Sequence, residues 1–158
     1  MGNSLHDLLS GTQKEKLAGI TVKVGGVYRM PLTPNEGITP KKTGDSSRNK
    51  FFIVVGKDCD NNIYGIVIIN SHVNNKLVQS VKDLHYPLFT GSYNFLDHNS
   101  FADCSRIKRI SCTRFSDLLT PATFKGDIMQ NDLDLIIGAL KTAKTINKKE
   151  LRSFGLIP

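Results

Sequence analysis

Lys41, Lys42, Ser46, Ser47, Arg48 and Lys50 crowd cations and hydroxyls into one short stretch, just ahead of the apolar run Phe51-Phe52-Ile53-Val54-Val55. A second polar group, Asn70-Ser71-His72, closes the apolar run Ile63–Ile69. Cleaving RNA without a metal needs few parts. One group removes the 2′-hydroxyl proton, a cation neutralises the non-bridging phosphate oxygens, and a donor protonates the leaving oxygen. Lys50, Arg48 and Ser71 have the chemistry for these duties and are the candidate catalytic groups. Lys41, Lys42, Ser46, Ser47, Asn70 and His72 are candidate contacts to the nucleic acid. If the chain is extended there, Ser46, Arg48 and Lys50 share one side, because strand side chains alternate. Ser71 and His72, being consecutive, face opposite ways, so no direct hydroxyl–imidazole couple is expected. A loop rich in Lys and Ser is also simply well solvated, and these residues alone leave that reading open.

Larger catalytic signatures are missing. The chain has no phosphate-cradling G-x-x-x-x-G-K-S/T, no H-E-x-x-H, no C-x-x-C and no G-x-S-x-G, which argues against an ATPase, a zinc hydrolase and an α/β-hydrolase. His6, His72, His85 and His98 make no ligand spacing, and no metal or cofactor is expected. Cys59, Cys104 and Cys112 are an odd number at spacings unlike a zinc knuckle, which reads as reduced thiols, though Cys104 and Cys112 could be neighbours in space. No apolar run reaches the roughly 18 residues of a membrane span. The first residues lack a secretory pattern, so the expected compartment is the cytoplasm. The net charge is +7, and residues 101–158 carry ten basic side chains against six acidic ones. Such a surplus suits a polyanion and equally suits solubility or an acidic protein partner. Tyr28, Tyr64, Tyr86 and Tyr93 could stack on bases or pack as ordinary strand tyrosines.

The elements that must position these groups are mostly strands. The 158 residues fit one domain, with a helical extension over 1–20, a β domain over 21–145 and a short helical tail over 146–158. Residues 4–18 read as a short amphipathic helix. A strand is expected from about Thr21 to Tyr28, with Gly25-Gly26 as a bulge. Residues 31–49 form a long loop of the kind that usually carries function. Phe51–Val55 reads as a strand buried on both faces, Asp58–Asn62 as a turn, and Ile63–Ile69 as the returning strand. Further strands are expected over Leu84–Phe89 and Ala102–Ile110. Gly126-Asp127 opens a helix whose apolar face holds Met129, Leu133, Ile136, Ile137 and Leu140. Asn147 with Glu150, and Gly155 beyond, bracket a final short helix. Five or so strands and a helix suggest a small barrel-like sheet with the helix across one side.

Three segments in order resemble the MazF/PemK family of toxin endoribonucleases. Gly26-Val27-Tyr28-Arg29-Met30 is similar to the family's opening G-D-I/V strand. Lys50-Phe51-Phe52-Ile53-Val54-Val55-Gly56-Lys57-Asp58 is similar to R-P-V-V-I-I-x-N-D. Ser100–Ile110 is similar to S-x-…-D-Q-I-R-x-I, with Lys125-Gly126-Asp127 and the following helix standing where the family has I-G-x-L and a helix. The resemblance spans about residues 24–142. It implies an SH3-like β-barrel with a C-terminal helix, a homodimer, a groove for single-stranded RNA, metal-independent cleavage and an antitoxin partner whose tail fills the groove. The family's catalytic Arg of Arg-Pro corresponds here to Lys50 of Lys50-Phe51, with an arginine displaced to Arg48, and its Thr or Ser after the third strand corresponds to Ser71. Lysine and arginine grip phosphate differently. That departure keeps a second reading open, a non-catalytic module of this fold that binds nucleic acid or a protein partner.

Overall fold

β-branched and aromatic side chains fill Phe51–Val55 and Ile63–Ile69, and these two runs form the centre of the sheet. The structure is a computed structural model that describes residues 22–158. The helix expected over 4–18, and His6 with it, lie outside the described residues. The strands are β1 (Gly26–Leu32), β2 (Arg48–Asp58), β3 (Ile63–Asn70), β4 (His85–Leu88), β5 (Ser100–Asp103), β6 (Lys108–Ser111) and β7 (Phe124–Asp127). They form one seven-stranded sheet in the order β4-β5-β3-β2-β1-β7, with β6 also pairing β3. Every pairing is antiparallel, and the sheet curls into a half-barrel. Among the described residues, helices α1 (Gln79–Lys82) and α2 (Cys112–Leu118) lie between strands, and α3 (Gln130–Thr142) and α4 (Lys148–Ser153) follow the last one. None is long and apolar enough to cross a membrane, among the described residues.

Period-two alternation gives β2 and β3 a core on each face. Phe52, Val54, Tyr64, Ile66 and Ile68 point one way, against Tyr28, Met30, Leu32 and Phe115 of α2. Ile53, Val55, Val67 and Ile69 point the other way, beneath Leu133, Ile136 and Leu140 of α3 and Leu151 and Phe154 at the C-terminal end. Phe52, Ile53, Ile66 and Val67 are completely buried, each stabilising the fold by about 2 kcal/mol.

Two glycines seat the C-terminal segment. Gly56 and Gly65 are cross-strand partners on β2 and β3, and neither needs an unusual backbone. Proximity is what they provide. A Cβ on Gly56 would lie 2.3 Å from the Phe154 carbonyl oxygen, and one on Gly65 would lie 2.9 Å from the Phe154 ring. The missing side chains leave a pit that Phe154 fills. The Asn147 side chain caps α4 through the Glu150 amide at 2.8 Å, and Gly155 takes a left-handed φ of 73°, as the sequence pattern anticipates.

Several boundaries differ from expectation. Strand β1 starts at Gly26 because residues 23–26 form a tight turn, with Gly25 at φ 96° and the Gly26 amide bonded to the Lys23 carbonyl at 3.0 Å. The loop is shorter than 31–49, since Pro31 and Leu32 pair with Asn49 and Arg48. Ala102–Ile110 is two strands. The Asp103 carboxylate accepts the Ser105 amide at 3.0 Å and turns the chain, so that β5 pairs the end of β3 and β6 its beginning. Gly126-Asp127 belongs to β7, and Met129 only caps α3, with 53% of its surface exposed. Cys104 and Cys112 lie in separate cores, and no disulfide forms among the described residues.

The loop from 33 to 47 is anchored at its start. Thr33 and Glu36 form a reciprocal cap on a single 3₁₀ turn, Pro34–Glu36. Glu36 is buried, and its carboxylate accepts the Arg114 Nε at 3.0 Å. Arg114 also donates to the Pro31 carbonyl at 2.8 Å, and Lys108 to that of Gly37 at 3.1 Å. Arg114→Ala strands a buried carboxylate and is expected to destabilise the protein by about 3 kcal/mol, read as a lower midpoint in urea. A variant as stable as wild type would show that this ion pair does not hold the loop.

Candidate active site

The outermost residues of the central strands escape the core. On β2, Arg48 and Lys50 continue the side of Phe52 and Val54, and on β3 Asn70 continues the side of Ile66 and Ile68, beyond the point where apolar side chains fill the space. The Lys50 ammonium donates to Asn70 Oδ1 at 2.5 Å and ties the two strand ends together. Around them lies an open hollow of about 300 Å³ lined by Arg48, Lys50, Asn70, Ser71, His72, Asn74, Leu77, His85 and Asp103. Arg48 and Lys50 also line two adjoining hollows. One, of about 160 Å³, adds Arg29, Phe51 and His98; the other, of about 200 Å³, adds Gly37, Thr39 and Lys108. Arg48 and Lys50 are thus the centre of a broad, open, polar depression.

Lys50 is half-buried, and its proton affinity is unusual. Burial, then the Arg48 guanidinium and more weakly Lys41, push its ammonium down from 10.5 to about 8, against the opposing pull of Asp103. Near neutral pH such a lysine holds an appreciable fraction of free amine, which an exposed lysine does not. Both forms useful in proton transfer are therefore present at one atom.

Beside Lys50 is a polar pair from the neighbouring hairpin. His85 and Asp103 are cross-strand partners on β4 and β5. His85 Nε2 lies 3.5 Å from Asp103 Oδ1, and its side chain is only 4% exposed. The other ring nitrogen, Nδ1, is 3.0 Å from the Val81 carbonyl. The same Asp103 oxygen accepts both the amide and the hydroxyl of Ser105.

Of the groups singled out in the sequence, Arg48, Lys50, Asn70, Ser71 and His72 line one hollow. Lys41 is close enough for its charge to act on Lys50. Lys42, Ser46 and Ser47 line none of the three hollows, and Lys42 and Ser46 are exposed. The tyrosines pack. Tyr28, Tyr64 and Tyr93 are buried, and Tyr86 gives its hydroxyl to Asp132 at 2.7 Å. That hydrogen bond, with burial, pushes Tyr86 up to about 12.

Sequence reasoning gave Asp103 no role in the site and His85 no partner. The signal available is the pairing itself. In the β4–β5 hairpin Leu88 faces Ser100 and His85 faces Asp103, a register visible only once the ends of both strands are known. No protein-family model matches the chain, and no curated protein matches it.

Proposed function

We propose that this protein is a MazF/PemK-like endoribonuclease, a cytoplasmic toxin on an SH3-like barrel that acts as a homodimer and is held in check by an antitoxin protein. Its substrate is single-stranded RNA, and the cut is metal-independent. The observation that carries the reading is Lys50, a half-buried amine titrating at about 8 in an open hollow shared with Arg48, Ser71 and His72. Lys50 as free amine takes the 2′-hydroxyl proton, and the 2′-oxygen attacks phosphorus. Arg48 neutralises the two non-bridging oxygens as charge builds on them. The 5′-oxygen leaves with a proton from His72 or, through Ser71, from the Lys50 ammonium. The products are a 2′,3′-cyclic phosphate and a free 5′-hydroxyl, so atoms and charge balance. Unstacked bases would lie along the adjoining hollows, where Asn70, Arg29 and His98 offer polar contacts.

The test is purified protein with end-labelled single-stranded RNA in EDTA. Discrete cuts ending in cyclic phosphate are expected, with Arg48→Ala slower by about 100-fold and Ser71→Ala by about tenfold. Intact RNA under these conditions would overturn the nuclease reading. The second reading, a non-catalytic module binding nucleic acid or a protein partner, is favoured by Lys50-Phe51 standing where the family has Arg-Pro. It expects salt-sensitive RNA retention without products.

A further inference from the structure

The polar groups behind Lys50 form a row across the sheet. His85 on β4, Asp103 on β5, Asn70 on β3 and Lys50 on β2 come from four strands that are neighbours in that order. Asn70 holds the Lys50 ammonium at 2.5 Å, while Asp103 lines two of the same hollows as Lys50.

The tautomer of His85 follows from its partners. A carbonyl can only accept, so Nδ1 carries the proton that bonds the Val81 oxygen at 3.0 Å. The other ring nitrogen, Nε2, lies 3.5 Å from Asp103 Oδ1. That oxygen already accepts twice from Ser105. Asp103 is thus held in orientation by the two Ser105 donors, with the His85 ring beside it.

We propose that Asp103, held in orientation by Ser105 and sharing two hollows with Lys50, is the positioning residue that stabilises the protonated form of Lys50. Its meaning for catalysis rests on the nuclease reading above. When the Lys50 amine has taken the substrate's proton, a new ammonium exists among like charges: Arg48 on its own strand, Lys41 on the loop and Lys108 on β6. Asp103 is the anion that shares two hollows with it, and Asp97 shares the third. His72 and His85 also line the first hollow, and Arg29, Asp97 and His98 line the adjoining one with Lys50. Without Asp103 the ammonium is less stable, so Lys50 would be a weaker base and a poorly held one.

Asp103→Asn keeps the shape and removes the charge. The titration of Lys50 is followed by carbon NMR of its Cε in full-length protein, independently of any RNA assay. The expected result is a midpoint lower by about one pH unit, with the pH–rate profile for RNA cleavage moved to lower pH by the same interval. A folded Asp103→Asn protein, checked by its thermal transition, with an unchanged Lys50 midpoint overturns the proposal whatever the activity. A lowered midpoint in a protein that never cuts RNA upholds the Asp103–Lys50 link and overturns only the nuclease.

Discussion

On the proposed nuclease reading, Lys50→Met is expected to reduce RNA cleavage to background, a loss of about 10²- to 10⁴-fold, while leaving the protein more stable at neutral pH than wild type. Both effects come from the same burial. The folded protein holds the Lys50 ammonium at about 8 against an ordinary 10.5. Below pH 8 the side chain is charged in both states, and the folded state holds that charge at a disadvantage. Between about pH 8 and 10.5 the unfolded chain binds the proton that the folded protein has released, so wild-type stability rises with pH across this window. Methionine has similar reach and no charge. The variant should therefore melt higher at pH 7, and the gap should close toward pH 10. Thermal melts of both proteins at a series of pH values provide the check. A variant that melts lower at every pH would mean that the Lys50–Asn70 tie outweighs the buried charge. A variant that still cuts RNA would remove Lys50 from the chemistry. A side chain kept at a cost to the fold is the pattern expected of a working site.

The largest effect on stability is expected from Gly56→Ala, about 4 kcal/mol. The added methyl would sit 2.3 Å from the backbone oxygen of Phe154 and 2.9 Å from its Cβ. A backbone oxygen has no rotamer to move to, so the segment after α4 must lift, exposing Phe154 and Leu151, both now buried. Gly138 supplies the control. It lies in α3 with nothing within 4 Å of its would-be Cβ, so Gly138→Ala should stabilise by about 0.5–1 kcal/mol. Urea midpoints of the two variants should move in opposite directions. If Gly56→Ala unfolds with wild type, Phe154 does not anchor the C-terminal segment.

Burial on both faces of β2 was legible because Phe51–Val55 has no polar residue to assign to an outside. The period of Leu133, Ile136 and Leu140 likewise revealed α3. Short elements were harder to read. Cys112–Leu118 has one large buried side chain, Phe115, and gives too few apolar repeats to signal a helix. Phe124–Asp127 is a strand only because β1 offers it an edge. The site followed the same division. Arg48, Lys50 and Ser71 lie at the ends of a hairpin whose strands are individually obvious, so their approach could be anticipated. Neither the burial that depresses Lys50 nor the meeting of His85 with Asp103 is encoded within any one segment. Both arise from which strand lies beside which, and β5 lies beside β3 only after a long excursion of the chain.

Phe52 and Val54 belong to one core, Ile53 and Val55 to the other, and four consecutive residues thus serve as wall to both. Melting either side would strip a face from the strand that the opposite side depends on. Neither half can come apart while the other persists, so the two cores unfold together in a single cooperative transition.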